Sequence, residues 1–193
     1  MDEAGRGSLA GPVVAAAYRF HRFGTVVPGL DDSKKLSLKK REKLFALLTQ
    51  PEIGIWAVGE APIEEIEEHN ILVASQMAMG RALDKLGFTD GVILVDGLPA
   101  KHLGRKHIAV VRGDGICPSI AAASILGKVS RDRNFLHFGQ LYPTYGFTKN
   151  CGYGTAEHLR ALAMVGPCPI HRRSFLPLGS APMPGLEKHA ASG

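Results

Sequence analysis

The sequence predicts an α/β fold, because apolar, strand-like segments alternate along the chain with segments of helical periodicity. The segments 91–97 and 107–115 are apolar runs that each lead to an aspartate, and the first is continuous enough for a strand buried on both faces. A chain of 193 residues is long enough for one ordinary domain with a substantial core. Further strands are expected at 12–20 and 53–60, and helices from Ser37, over 118–142 and over 155–166. The segment 64–87 predicts a short acidic turn and then a long helix that ends at Gly87.

Composition restricts the class of protein and its compartment. The hydrophobic fraction is 45% and the charged fraction 21%, as in ordinary globular proteins, and the net charge of +5 favours a polyanionic partner. Cysteine is odd in number and widely spaced, which predicts neither a disulfide framework nor a zinc site. No apolar stretch approaches the roughly 18 residues of a membrane span. We therefore expect a cytoplasmic protein without membrane association.

Acidic residues accompany three of the strand-like runs. Asp96 ends the run VILV, Asp114 follows AVVRG, and the pair Asp2–Glu3 precedes VVAAA after a short glycine turn. Because ligands gather at strand ends in α/β sheets, we expect these carboxylates to converge on one point. Oxygen ligands without neighbouring His or Cys favour Mg²⁺ or Mn²⁺, and two such ions about 4 Å apart are the apparatus of phosphodiester cleavage. Taken singly, however, Asp96 and Asp114 are also typical turn residues.

Eight short motifs, in this order along the chain, resemble those of type 2 ribonuclease H, the bacterial ribonuclease HII family. They are DEAGRG (2–7), DDSKKLS (31–37), NIL (70–72), VDG (95–97), RGD (112–114), AAASILGKVSRD (121–132), GYGT (152–155) and HRRSF (171–175). They extend over nearly the whole chain apart from the C-terminal tail.

The resemblance implies a ribonuclease H-like fold, with a mixed β-sheet flanked by helices and a helical C-terminal extension. It implies hydrolysis of the RNA strand of RNA–DNA hybrids, including cleavage 5′ of a single ribonucleotide in duplex DNA, with 3′-hydroxyl and 5′-phosphate products. The implied partners are RNA–DNA hybrid and ribonucleotide-containing duplex DNA, and we expect a monomer. We expect one domain over 1–175 and, because the segment is rich in Pro, Gly, Ala and Ser, a disordered tail over 176–193.

The resemblance also implies roles for individual residues. The four acids would bind two divalent cations, Mn²⁺ or Mg²⁺, and form the catalytic set: Asp2, Glu3, Asp96 and Asp114. Gly5, Arg6 and Gly7 match a turn that contacts the 2′-hydroxyl mainly through its main chain, which suits glycine. Tyr153 matches a tyrosine that packs on the sugar beside the scissile phosphate. Further substrate contacts are expected from Lys34, Lys35, Ser124, Lys128 and Arg172.

Two of these assignments have competing interpretations. Asp132 shares a helix face with Ser124 and Lys128, as an acid behind the site, or it is simply an ion-pair partner of Arg131 or Arg133. Arg172 belongs to a basic cluster that either follows the DNA backbone or is a solvated surface.

The start of the sequence allows a different function. Only Met1 precedes the Asp2–Glu3 pair, whereas several apolar residues of the first strand precede it in the family. We therefore expect a truncated first strand, and a start of the natural chain upstream of Met1. The alternative function is a hybrid-binding protein whose catalysis is impaired by the truncation. A Mg²⁺-dependent phosphatase acting on small molecules is a third hypothesis, but it does not account for the Gly-Arg-Gly turn. Metal-dependent cleavage of a duplex distinguishes the endonuclease from the hybrid-binding protein.

Overall fold

The computed structural model describes residues 1–176 and has strands flanked by helices, in agreement with the predicted α/β class. The strands are β1 (Asp2–Ala4), β2 (Val13–Phe20), β3 (Gly54–Ala61), β4 (Leu94–Asp96) and β5 (Ile108–Val110). The α-helices are α1 (Leu38–Leu48), α2 (Ile63–Leu86), α3 (Pro118–Leu141), α4 (Phe147–Asn150) and α5 (Ala156–Val165). The expected disordered tail lies, from residue 177 onward, outside the described residues. No helix within 1–176 is both long and apolar enough to cross a bilayer.

The strands form two small sheets. β1, β2 and β3 are antiparallel in that order, with Glu3 opposite Ala15. β4 and β5 are parallel, with Val95 opposite Ala109. β1 has three residues.

Met1 joins the two sheets. Its α-amino group donates to the Leu94 carbonyl at 2.7 Å, and its own carbonyl accepts from the Asp96 N–H at 3.0 Å. Burial lowers the pKa of this amino group to about 6. Beyond Met1, β2 and β4 enclose an apolar slot of about 540 Å³, whose lining includes Ala17, Tyr18, Phe20, Ile93 and Leu94. This single residue therefore holds β1 and β4 side by side.

β2 is buried on both faces, which explains its run of small apolar residues. Ala15 and Ala17 pack in one cluster with residues of α2. Ala16 and Tyr18 pack in a second cluster with residues of α1 and α3. Because the alternate side chains of a strand point to opposite faces, β2 forms the centre of a helix–sheet–helix sandwich. It also provides the rigid support on which β1 lies.

Helix α2 contains a break at Asn70, in the motif NIL. Asn70 has non-helical backbone angles, with φ 67° and ψ 164°. Its side-chain oxygen accepts from the N–H groups of Leu72 and Val73 at 2.9 and 3.2 Å, and so caps the second half of the helix. The acidic residues before the break, expected as a short turn, are helical, and the long helix follows them as expected.

The C-terminal part of the described chain is helical, which confirms the expected extension. Helices α4 and α5 pack with the second half of α3 in a cluster that contains Phe135, Phe147 and Leu162. His171 forms an isolated bridge with Ala10, in the loop between β1 and β2. The extension is therefore tied to the loop that carries the Gly-Arg-Gly turn.

Candidate active site

Three of the four predicted acids meet at one point. Asp2 lies in β1, Asp96 ends β4, and Asp114 lies in the 3₁₀ turn Gly113–Gly115 after β5. Each offers a carboxylate oxygen within 4.8 Å of the others. The N–H of Asp114 donates to Oδ1 of Asp96 at 3.3 Å, which fixes the turn against the end of β4. The expectation that acids converge at strand ends is thus met for these aspartates.

The acidic cluster is electrostatically unfavourable on its own. Burial, together with the negative charges of Glu3 and Asp96, raises the pKa of Asp2 to about 7. Burial and the charge of Asp96 also raise the pKa of Asp114. A divalent cation would offset this repulsion, and grouped carboxylate oxygens are the donors that Mg²⁺ and Mn²⁺ prefer. The chemistry of the donor set therefore fits a divalent metal site.

Glu3, the fourth predicted acid, stands beside this cluster. Its Oε1 accepts from Nη1 of Arg6 at 3.1 Å, and its side chain is 14% exposed. It does not belong to the three-carboxylate group found among the described residues. Its main chain neighbours Asp2, and both residues line the same groove.

A groove of about 550 Å³ opens next to the cluster and gathers most of the predicted substrate contacts. Its lining includes Asp2, Glu3, Gly5, Arg6, Gly7, Lys34, Ser124, Lys128 and Tyr153. These residues come from β1 and the loop after it, the loop before α1, helix α3 and the segment before α5. Chain segments far apart in sequence therefore form one continuous surface beside the acids.

Besides Ala4 of β1, two residues of this groove were not predicted from the sequence, Ser33 and Ile71. The hydroxyl oxygens of Ser33 and Ser124 lie 2.7 Å apart in a buried hydrogen bond, which joins the loop before α1 to helix α3. Ile71 follows the break at Asn70 in α2. Both residues lie inside motifs that marked the family resemblance, but serine and isoleucine carry no charge that would have singled them out.

The predicted lysines differ in their surroundings. Burial opposes the charged form of Lys34, but the carboxylates of Asp2, Asp32, Asp114 and Asp96 outweigh it and raise the lysine pKa. Lys35, in contrast, forms an exposed ion pair with Asp31 at 3.2 Å and is not among the groove residues.

Lys128 and Asp132 form a half-buried ion pair, 2.6 Å between Nζ and Oδ1. Asp132 therefore pairs with Lys128. Of its two interpretations, the ion pair with Arg131 or Arg133 does not form in the described structure, and the contact with Lys128 fits the other, an acid behind the site. The ammonium of Lys128 also lies 5.6 Å from the centre of the Tyr153 ring. This arrangement holds the lysine over the part of the groove where Tyr153 is exposed.

Arg172, a predicted substrate contact, lies in the interior of the protein. Its side chain is 0% exposed, so it cannot touch a DNA backbone from where it lies. Its Nε donates to the Gly11 carbonyl at 2.8 Å and its Nη1 to the Arg6 carbonyl at 3.1 Å. The expected phosphate contact is therefore wrong for this side chain, because the loop after β1 covers it.

Comparison with known proteins identifies the family. A family model described as Ribonuclease HII matches residues 1–177, which include the four acids, the Gly-Arg-Gly turn and Tyr153. The chain belongs to the ribonuclease HII family. Among similar proteins named ribonuclease HII, that of Burkholderia pseudomallei is 48% identical over 94% of this chain and 84% of its own length. That of Cereibacter sphaeroides is 50% identical over 92% of this chain and 83% of its own.

Solved structures show the same ribonuclease HII fold. The Archaeoglobus fulgidus ribonuclease HII, solved as a complex with PCNA, superposes with a TM-score of 0.75 at 23% identity, over 90% of this chain and 91% of that one. The ribonuclease H2 of Pyrococcus horikoshii gives a TM-score of 0.69 at 28% identity, over 90% of each chain. The ribonuclease H-like class predicted from the motifs is confirmed.

As a ribonuclease HII, the protein is a metal-dependent endonuclease that hydrolyses phosphodiester bonds in the RNA strand of RNA–DNA hybrids. The alternative, a hybrid-binding protein with impaired catalysis, is not favoured. The family match runs through all four acids, and β1 pairs with β2 although it is short.

Proposed function

We propose that Asp2, Glu3, Asp96 and Asp114 hold two divalent cations, Mg²⁺ or Mn²⁺, and that the enzyme cuts 5′ of a single ribonucleotide in duplex DNA. The observation that supports this most strongly is the shared surface: Asp2 lines the same groove as the Gly-Arg-Gly turn and Tyr153. When bound, such cations supply an activated water and stabilise the leaving 3′-oxygen. The products are a 3′-hydroxyl and a 5′-phosphate.

The residues of the turn recognise the ribose. Gly5, Arg6 and Gly7 lie along the groove, and Arg6 and Gly7 are exposed. A main chain without bulky side chains can approach a sugar closely enough to hydrogen-bond its 2′-hydroxyl, which deoxyribose lacks. Tyr153, 36% exposed, packs on the neighbouring sugar. Together these contacts place the ribonucleotide so that its 5′ phosphodiester faces the acids.

Basic and hydroxyl side chains bind the phosphates. Lys34, Ser124 and Lys128 all line the groove beside the acids. Lys35 is exposed on the same loop and contacts a phosphate farther along the strand. The raised pKa of Lys34 keeps its ammonium charged throughout the physiological range, as a phosphate contact requires.

We also infer that the enzyme acts as a monomer and that residues 1–175 form one domain, in which segments far apart in sequence line a single groove. The three cysteines Cys117, Cys151 and Cys168 are free thiols, which agrees with work in the reducing cytoplasm.

The test is cleavage of an end-labelled DNA duplex that carries one ribonucleotide, with Mg²⁺, with Mn²⁺ and with chelator. A metal-dependent cut 5′ of the ribonucleotide, with a 3′-hydroxyl end that a polymerase can extend, is the expected result. An all-DNA duplex of the same sequence is the control and remains intact. Cleavage on the 3′ side of the ribonucleotide, or cleavage that persists in chelator, would refute the proposal.

A further inference from the structure

Two buried arginines lie beneath the Gly-Arg-Gly turn without an acidic partner. Arg131 and Arg172 are both 0% exposed. Within residues 1–176 neither forms a salt bridge, and Nη2 of Arg172 is buried without any hydrogen-bond partner. Burial, together with the positive charge of Arg131, lowers the pKa of Arg172 to about 9. Burying two cations without acidic partners costs free energy, so packing alone does not account for this pair.

Both guanidinium groups bind main-chain carbonyls of the loop between β1 and β2. Arg172 binds those of Arg6 and Gly11. Arg131 donates to the carbonyls of Pro12 at 3.2 Å and Ala10 at 3.1 Å. Planar guanidinium groups offer several donors in a fixed geometry, so each fixes two carbonyls of this loop relative to each other.

The bond from Arg172 to the Arg6 carbonyl determines where the next amide points. In a trans peptide unit the C=O of one residue and the N–H of the next point in opposite directions. With the Arg6 carbonyl turned inward to Arg172, the Gly7 N–H points away from the interior. Gly7 is exposed in the groove, and no main-chain carbonyl of the described residues accepts from its N–H. That N–H is therefore a donor presented to a ligand.

Arg131 connects this turn to the segment that carries Tyr153. Its Nη1 donates to the Cys151 carbonyl at 2.9 Å, and its guanidinium lies 5.4 Å from the centre of the Tyr153 ring. On the other side it lies against Gly5, where a Cβ atom would be 2.0 Å from Nε of Arg131. Gly5 has φ +93°, so a side chain there is excluded both by its backbone angle and by this contact.

We propose that Arg131 and Arg172 are positioning residues that set the preference for ribose over deoxyribose. They hold the Gly5–Gly7 turn and the Cys151–Tyr153 segment at a fixed separation and turn the Gly7 N–H toward the 2′-hydroxyl. This inference rests on the proposed function, in which that turn and Tyr153 contact the ribonucleotide. The positive charge of the pair also favours the polyanionic strand above it.

The experiment compares dissociation constants for an all-DNA duplex and for the same duplex with one ribonucleotide, by fluorescence anisotropy. The Asp96→Asn background prevents cleavage, and Arg131→Lys and Arg172→Lys keep the charge but lose the fixed geometry. Arg81→Lys is the matched control, since Arg81 donates to the Glu60 carbonyl and to Glu65, outside the groove. Thermal melting of each variant gives its folded fraction.

The expected result is a preference for the ribonucleotide duplex that shrinks about five- to tenfold in each variant, the equivalent of one hydrogen bond, with unchanged affinity for all-DNA. A merely structural role would weaken both affinities by the same factor and leave their ratio unchanged, which would overturn the proposal. If both variants fail to fold, the pair serves stability and the proposal is also wrong. Absence of any preference in the Asp96→Asn parent would refute the proposed function instead.

Discussion

Asp96 faces two other carboxylates, those of Asp2 and Asp114, whose oxygens lie within 4.8 Å of its own. In the absence of a cation these groups repel one another, as the raised pKa values of Asp2 and Asp114 indicate. The arrangement that would bind metal therefore destabilises the metal-free protein. Each of these carboxylates therefore suits a metal site but lowers the stability of the metal-free protein.

We predict that Asp96→Asn lowers the cleavage rate at a single ribonucleotide at least about 100-fold, because an amide is a poor ligand for a hard cation. In chelator at pH 8 the same variant melts at an equal or higher temperature than the parent, because one repulsive charge is removed. Asp90→Asn, at an exposed acid in the loop after α2, is the control and keeps full activity. Wild-type cleavage by Asp96→Asn would remove this residue from the catalytic set.

His171 is a second residue whose charge state matters, here for the stability of the helical extension. Its Nε2 lies 2.9 Å from Nε2 of His158, and its Nδ1 lies 3.2 Å from the Cys168 sulfur. Burial, and then the proximity of His158, lower the pKa of His171 from 6.5 to about 4. The folded protein therefore keeps His171 neutral at pH values where the unfolded chain binds a proton.

From this we predict a loss of stability in acid. Neutral His171 makes its full contribution to the free energy of unfolding above pH 6.5. As the pH falls toward 4 this contribution is lost, which lowers the free energy of unfolding by roughly 3 kcal/mol at most. Urea unfolding between pH 7.5 and 4.5 measures it as the difference between the parent and His171→Gln, which cancels the titration of the acidic cluster. His137→Gln, at an exposed histidine, keeps the parental pH dependence. Parallel curves for the parent and His171→Gln would contradict the prediction.

The sequence revealed the charged residues more readily than their surroundings. The three aspartates could be predicted because a strand followed by an acid is a local pattern, and the structure brings them together. The burial of Arg172 could not be predicted, because a cluster of His and Arg is typical of a solvated surface and the sequence does not show that a loop covers it. Ser33 and Ile71 were missed for a similar reason: their position in the groove depends on contacts between distant segments.

At the level of elements, close packing of helices on β2 and β3 depends on small residues. Gly59 of β3 lies so near α2 that a Cβ atom would be 2.1 Å from the Ala78 carbonyl oxygen. Gly127 of α3 has more room, because its Cβ atom would be 3.6 Å from that of Ala16, an ordinary contact distance. The two glycines thus differ in what they contribute to the fold, although the sequence does not distinguish them.

We predict that Gly127→Ala raises the free energy of unfolding by about 0.5–1 kcal/mol, the difference in helix propensity between the two residues. Gly59→Ala lowers it by about 1–3 kcal/mol, since the α2 main chain must move to accommodate the methyl group. Urea denaturation of both variants provides the comparison. Equal destabilisation by the two substitutions would mean that α3 also lies too close to β2 for a methyl group.

The bounds of the elements were predicted less well than their existence. The apolar runs at 91–97 and 107–115 were expected as strands, but β4 and β5 cover three residues each. Asp114 lies in a 3₁₀ turn beyond β5, because the chain must bend to bring it to Asp96. Tertiary contacts of this kind override local propensity.

At the level of the whole molecule, the net charge of +5 gives the protein a long-range attraction for nucleic acid. Part of this charge is local to the groove, where Lys34 and Lys128 stand beside the acids. Each lysine that neutralises a phosphate releases a counterion, so binding weakens as salt is added.

We predict that Lys34→Gln reduces the slope of log affinity for an RNA–DNA hybrid against log salt concentration by about 1, the value for one phosphate contact. Lys101→Gln, at an exposed lysine that does not line the groove, leaves the slope as in the parent. Anisotropy titrations from about 50 to 200 mM salt measure both. An unchanged slope for Lys34→Gln would remove this lysine from the phosphate contacts.

The position of Met1 has a practical consequence for anyone who purifies this protein. Its amino group is buried between β2 and β4 and bonded to Leu94, one residue away from Asp2. Whatever precedes Met1, whether residues of the natural chain or an appended affinity tag, enters the apolar slot that Met1 lines. Apolar residues could extend β1 there, whereas a run of histidines would have to force the two sheets apart. The residues that an expression vector places ahead of Met1 therefore affect the packing beside Asp2 and its carboxylate cluster.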